Sequence, residues 1–358
     1  MIDIVELTAR AFDVPMATPF GIATGTQELA SNVLCTLRLS DGTLGVGEAA
    51  PFPAVSGETQ AMVLAALEAL APALVGQDAE RDRHVAGLAQ EALAHVPSAL
   101  AAVDVALLDA LCRRAGRSLW HHFGGSTERL VTDITIPTGD VAAARAAAES
   151  ARAGGFRELK IKVGRGDIDL DAERVRAAHL AAPGCTLILD ANAGLTTKDA
   201  LALLSALGRA RSRVVLFEQP VARDDWDGLS QVERDGGVTV AADESARSAS
   251  EVAALARRGV CRAINVKTAK TGLFGAWDMA SVARAHGLEL MIGGMVETEL
   301  AMTASACLAA GMGGFRYIDL DTFFFMGPRP LSGGFTVRGA ELDLSALGPG
   351  HGVALVSE

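Results

Sequence analysis

Beyond residue 125 the chain alternates two hydrophobic patterns. Short β-prone runs are followed by longer Ala- and Leu-rich stretches whose apolar positions recur at helical spacing. The runs fall near residues 131–136, 159–163, 186–190, 214–218, 238–243, 263–267, 288–292 and 316–319. Their ends recur every 25 to 30 residues or so, about the length of one strand-helix unit with short loops. Eight such runs predict a closed parallel barrel. A doubly wound open sheet is the alternative, but it usually has fewer strands and a glycine-rich phosphate loop after the first. No such loop follows residues 131–136.

The first 60 residues read differently. Residues 33–39 form a strand-like run closed by the turn signal Ser40-Asp41-Gly42, and loops are predicted at 15–26 and 49–53. Residues 58–114 carry helical periodicity, with a new helix starting at Pro97. Strands followed by helices make an α+β unit of about 120 residues.

Composition narrows the class. The chain has 358 residues, half of them hydrophobic, so it buries a sizeable core and is not disordered. Aromatic residues are scarce at 4%, so Ala, Leu and Val must do most of the packing. The net charge of −11 argues against nucleic-acid binding and against anionic membrane surfaces. Five widely spaced Cys without a CxxC pair suggest reduced, buried thiols and a cytoplasmic location. The opening residues lack the pattern of a signal peptide, and no apolar stretch reaches membrane-spanning length.

A parallel barrel carries its chemistry at the C-terminal ends of its strands. Three consecutive runs end in Asp190, Glu218 and Asp243. Side by side, these acids would repel one another unless a hard divalent cation joined them, and oxygen ligands suit Mg²⁺. Taken singly, each acid would serve equally as a helix cap or an ion-pair partner. Lys160 and Lys162 alternate on one strand and therefore share a face, toward the barrel interior. Lys267 ends the sixth run, across the barrel from the second. Two lysines flanking one pocket suit removal of a proton from one face of a carbon and its return to the other. The competing reading of Lys162 is a structural ion pair with Glu218 or Asp243. Asp319 and Asp321 close the eighth run on a shared side. They could hold a metal or a substrate ammonium, or Asp321 could cap a helix. The seven His lie away from the strand ends.

In this order, the motifs Leu-Lys-Ile-Lys-Val-Gly, Leu-Asp-Ala-Asn, Phe-Glu-Gln-Pro, Ala-Asp-Glu-Ser and Asn-Val-Lys resemble the enolase superfamily and its muconate-lactonizing-enzyme subgroup. Asp319-Leu320-Asp321 further resembles the DxD motif of dipeptide epimerases, and the resemblance covers almost the whole chain. It implies a modified (β/α)7β barrel over residues 126–325, with an α+β capping domain of residues 1–125 completed by 326–358. It implies one Mg²⁺ per subunit on Asp190, Glu218 and Asp243, with Asn192 and Glu244 beside them. Lys162 and Lys267 become the acid/base pair, and Lys160 holds the substrate carboxylate or the metal-bound oxygen. Thr24, Met295, Glu297, Asp319 and Asp321 become substrate contacts.

The implied reaction is a two-base proton transfer at the Cα of the second residue of an L,L-dipeptide, through an enolate. An N-acylamino-acid racemase or a cycloisomerase of the same subgroup is the alternative, and a non-catalytic ligand-binding barrel a remote one. Two acids in the pocket would repel a dianionic cycloisomerase substrate. The loop at 15–26 has no Arg or Lys, which argues against a glutamate side chain and for an apolar or cationic one. Phe20, Ile22, Phe52 and Met295 would line an apolar pocket. Glu48, Glu297 and Glu299 would receive a cation, unless Glu48 anchors the cap instead. The sequence leaves the oligomeric state open, a homo-oligomer included.

Overall fold

The computed structural model describes residues 2–22 and 25–356, with side chains outside 18–27. Three antiparallel strands open the chain: β1 (Ile4–Ile22), β2 (Gly25–Leu39) and β3 (Leu44–Ala49). Three helices cover them: α1 (Gln60–Leu74), α2 (Asp82–Ala92) and α3 (Pro97–Arg114). The helix predicted to begin at Pro97 does so, because proline suits the first turn, where its missing N–H costs nothing.

Small residues let α3 lie almost on the backbone of β3. A Cβ at Gly47 would stand 2.0 Å from Ala102 O, and one at Gly45 would stand 2.0 Å from Ala106 O. The obstacle is backbone, which cannot swing aside. Gly47→Ala is therefore expected to reach or exceed the top of the usual overpacking cost of about 1–3 kcal/mol. A urea-denaturation midpoint unchanged from wild type would refute this.

The barrel strands are β4 (Ile134–Ile136), β5 (Glu158–Lys162), β6 (Thr186–Asp190), β7 (Val214–Glu218), β8 (Val240–Ala242), β9 (Ala263–Lys267), β10 (Glu289–Gly293) and β11 (Phe315–Asp319). All eight are parallel neighbours in chain order, as the spacing of the runs predicts. Each run lands within two or three residues of its strand. The first run is the exception, because it splits in two. Arg129–Val131 leaves the barrel to pair with Glu341–Asp343 in a small antiparallel sheet, and only Ile134–Ile136 joins β5.

The seam between β11 and β4 uses few backbone contacts. Asp133 N donates to Ile318 O at 2.8 Å. The Thr132 hydroxyl accepts from Leu320 N at 3.0 Å, and Asp321 Oδ2 accepts from Thr135 N at 2.6 Å. Side chains thus do part of the work of a ladder, and they fix Asp321 in place.

Between the barrel strands run α4 (Val141–Ala153), α5 (Ile168–Ala181), α6 (Thr197–Ala206), α7 (Trp226–Gly236), α8 (Ala249–Arg258), α9 (Thr268–Ala285) and α10 (Glu299–Met312). All five Cys are buried and unpaired. No described helix is long and apolar enough to cross a membrane.

The α3 helix also caps a barrel helix. α9 breaks at Gly272, where φ is 71°, and Asp104 Oδ2 accepts from Phe274 N beyond the break at 3.2 Å. Burial pushes the Asp104 carboxyl from its ordinary 3.8 up to about 7, with the Arg83 charge pulling the other way. The folded chain therefore keeps a proton that the unfolded chain releases. This term of the folding stability falls as pH rises between about 4 and 7. Asp104→Asn keeps an acceptor without the charge. The loss of stability between pH 5 and pH 8 should be smaller in the variant, as read by denaturant midpoints. Identical pH slopes would contradict the assignment.

Candidate active site

Register sets the site. Lys162, Asp190 and Glu218 are successive Cα partners across β5, β6 and β7. Lys267, Gly293 and Asp319 are successive partners across β9, β10 and β11. A slip of one residue in any strand would turn its functional side chain toward the helices. Strands β5 and β9 stand four places apart in the order of eight, so Lys162 and Lys267 approach the interior from opposite sides.

One cavity of about 40 Å³ at these strand ends is lined by Lys160, Lys162, Asn192, Asp243, Lys267, Asp319 and Asp321. Its apolar edge comes from Phe52 and Val55 of the cap and Met295 and Val296 after β10. Val55 and Met295 also border a larger crevice of about 750 Å³ between the cap helices and the barrel, onto which Glu244 faces.

A web of short ionic contacts fills the floor. Lys160 Nζ lies 2.6 Å from Asp319 Oδ2, 2.8 Å from Glu218 Oε2 and 3.0 Å from Asp190 Oδ2. Lys162 Nζ donates to Asp190 Oδ2 at 2.7 Å and to Asn192 Oδ1 at 3.1 Å. Its ion pair is thus with Asp190, and with neither Glu218 nor Asp243. Lys267 Nζ donates to Asp243 Oδ2 at 2.7 Å. Asn265, two residues before Lys267 on the same face of β9, donates to Glu218 Oε1 at 2.7 Å.

The charges answer one another. Burial raises the Asp190 and Asp243 carboxyls, but the lysines outweigh it and hold both below the ordinary range. Burial depresses Lys267, but Asp243 and Glu218 more than compensate, so its ammonium stands above the ordinary value. Glu218 is left under-compensated: burial, then Asp190, push it up to about 7. Glu244 reaches about 8 through burial and Asp243, and its Oε2 is buried without a hydrogen-bond partner.

These residues fit a hard divalent cation. Three carboxylates at the ends of adjacent strands offer only oxygen donors, and Glu218 and Glu244 stay above the ordinary carboxylate range despite the lysines nearby, so added positive charge would stabilise the ionised form of both. The carboxylate oxygens that gather within 4.8 Å of one another are those of Asp133, Asp319 and Asp321, not those of the strand-end triad. The triad stands at the ends of three consecutive strands, β6, β7 and β8, whereas the other three acids sit at the seam between β11 and β4. Both sets are held by protein donors: the triad by Lys160, Lys162, Lys267 and Lys270, and Asp319 and Asp321 by Lys160 and Thr135 N.

Other expected residues fall elsewhere. Thr24 lies outside the described residues, as do the side chains of Phe20 and Ile22. Glu297 is buried and turns back to accept from Met295 N at 3.0 Å. Glu299 pairs with Arg329. Glu48 anchors the cap: it accepts from Thr298 N at 3.0 Å, from Ala301 N at 3.2 Å and from Asn32 Nδ2 at 2.7 Å. Gly293 makes room for the protein's own side chains, since a Cβ there would stand 2.8 Å from Asn265 Oδ1 and 3.0 Å from Lys267 Cε.

Four residues escaped the sequence reading. Lys270 holds Asp243 Oδ1 at 2.6 Å and three backbone carbonyls, those of Asp243, Ala246 and Asn265. Gln219 adopts φ 31°, and its amide oxygen accepts from the backbone N of both Asp243 and Ser245. Asp133 has no hydrogen-bond partner on either carboxylate oxygen. Asn265 was the most legible of those left unassigned, because it shares the inward face with Lys267 two residues on.

An eight-stranded barrel with paired lysines over a carboxylate triad, under an α+β cap, defines a class. Residues 4–124 match the model of the mandelate racemase/muconate lactonizing enzyme N-terminal domain, and residues 142–358 match the enolase C-terminal domain-like model. The chain belongs to this family of the enolase superfamily. Within it, the chain is 46% identical over 352 residues to an aromatic dipeptide epimerase of Herpetosiphon aurantiacus, covering 98% of this chain and 99% of that one. It is 39% identical to a hydrophobic dipeptide epimerase of Citrifermentans bemidjiense, covering 98% and 97%. A solved structure of the Enterococcus faecalis dipeptide epimerase with Mg and the dipeptide L-Leu-L-Tyr superposes with a TM-score of 0.94 at 32% identity, covering 98% and 99%.

Proposed function

We propose that this chain is a Mg²⁺-dependent dipeptide epimerase. The observation that carries the reading is the convergence of Lys162 and Lys267 from opposite strands on one cavity that also holds Asp319 and Asp321. Asp190, Glu218 and Asp243 would hold the ion, with Asn192 and Glu244 beside them. When bound, the ion supplies positive charge against which negative charge on the substrate carboxylate is stabilised as the α-proton leaves.

One lysine takes the proton from its face of Cα, and the other returns a proton to the opposite face. Lys160 steadies the carboxylate end. Asp319 and Asp321 receive the α-ammonium of the first residue. The segment 126–325 carries this chemistry, and residues 1–125, completed by 326–358, form the capping domain. The buried thiols favour a cytoplasmic setting.

The second residue of the substrate is apolar. Phe52, Val55, Met295 and Val296 form the apolar edge of the cavity. The acids that would favour a cationic side chain are committed elsewhere, Glu48 to Thr298 and Glu299 to Arg329.

The test is a library of L,L-dipeptides in D₂O with Mg²⁺, followed by mass spectrometry. Deuterium should enter dipeptides with aromatic or aliphatic second residues, stop with EDTA and return with added Mg²⁺. Exchange confined to N-acylated amino acids, or absent altogether, would overturn the reading.

A further inference from the structure

The two lysines end their strands in different ways. Lys267 runs directly into α9, whose first residue is Thr268, so the helix itself fixes the peptide that follows. Lys162 is followed by a loop, Val163 to Asp167, before α5 begins.

That loop is gripped by a buried ion pair on α5. Arg174 is 2% exposed and is the largest side chain buried so completely. Its Nη1 donates to Lys162 O at 2.7 Å and to Asp171 Oδ1 at 3.0 Å. Its Nη2 donates to Pro137 O at 2.7 Å, just past the end of β4. Asp171 Oδ2 accepts from Gly164 N at 2.7 Å. The pair therefore holds the peptides on both sides of Val163 and ties them to the neighbouring strand. Packing alone does not explain it, because a buried ion pair is often no more stabilising than apolar residues of similar volume.

We propose that Arg174, with Asp171, is the positioning residue for Lys162: it fixes the peptide after Lys162 and so sets the reach of one of the two bases. The proposal rests on the two-base reading above.

Exchange with retention isolates one base at a time. In D₂O a neutral lysine, as –ND₂, takes the α-proton and becomes –NHD₂⁺. The C–H bond breaks and its electrons stay on the substrate. If the same lysine returns D⁺ to the same face, a C–D bond forms, the lysine is left as –NHD, and solvent restores it. Each diastereomer presents its α-proton to one lysine only. Epimerisation needs both lysines, and its equilibrium constant forces the two directions to slow together, so retention exchange is the informative signal.

The experiment follows retention exchange by proton NMR from the L,L- and the L,D-dipeptide separately, for wild type, Arg174→Lys, Asp171→Asn, Lys162→Ala and Lys267→Ala. Arg174→Lys should slow exchange of one diastereomer about ten- to a hundredfold, as expected for a modest misplacement of a reacting group. That diastereomer should be the one silenced by Lys162→Ala. The other should change less than about twofold, and the Mg²⁺ dissociation constant by calorimetry should hold within the same margin.

Asp171→Asn keeps an acceptor for Gly164 N. It should shift the same diastereomer less, and it stands as the test if Arg174→Lys does not fold. Equal slowing of both diastereomers, no slowing of either, or a tenfold loss of Mg²⁺ affinity overturns the proposal. If the two lysine variants do not silence opposite diastereomers, the two-base reading fails, and the proposal fails with it. That outcome is read from the lysine variants alone.

Discussion

Lys162→Ala abolishes interconversion of L,L- and L,D-dipeptides, while one diastereomer goes on exchanging its α-proton. The expected loss is that of a general acid–base residue, about 10²- to 10⁴-fold, and it applies to both directions. The reason is geometric. β5 and β9 place the two amines on opposite sides of one cavity, so neither lysine can do the work of the other. Lys267→Ala gives the mirror result, with the other diastereomer exchanging. Polarimetry follows the interconversion and proton NMR the exchange. Near-normal interconversion in either variant would exclude a two-base mechanism.

The second large effect is at the floor of the same cavity. Asp321→Asn keeps the shape of the side chain and an oxygen to accept the Thr135 N–H, now made at 2.6 Å. It removes only the charge. Losing one member of a desolvated charge pair costs about 2–5 kcal/mol, so kcat/KM for free-amine dipeptides should fall about thirtyfold to several thousandfold. N-acetylated dipeptides carry no ammonium, and their residual turnover should change far less. A uniform fall for both substrate classes would mean that Asp321 acts through the barrel seam and not through the substrate. Burial, with Asp319 next to it, already pushes this carboxyl up to about 6, so an arriving ammonium meets a carboxyl short of positive charge.

Much of this site was readable along the chain because a parallel barrel projects its strand ends to one place. Asp190, Glu218, Lys267 and Asp319 each end a β-prone run, Lys162 stands one residue before the end of its run, and all five prove to end a strand. What escaped were residues whose work is done across the sequence. Lys270 and Gln219 act on Asp243 from the elements that flank β8, and neither has a local pattern that announces it. Glu297 had the right charge in the right loop, yet it satisfies that loop's own backbone. Glu48, a buried acid on a cap strand, was left between two roles. Its bonds to Thr298 and Ala301 at the start of α10 settle it as an anchor.

The sequence by itself determined the barrel, its strand order and the residues that reach its mouth. Those follow from period-two and helical periodicity and from short connections, which are local properties of the chain. Only the tertiary structure decided which charges meet. That Lys162 pairs with Asp190, that Lys160 spans Asp190, Glu218 and Asp319, and that Arg174 grips the peptide beyond Lys162 depend on register and on approach in space. The physical reason is that burial makes an unpaired charge costly, so these buried lysines and carboxylates take the partners that packing brings within reach, wherever those partners lie in the sequence.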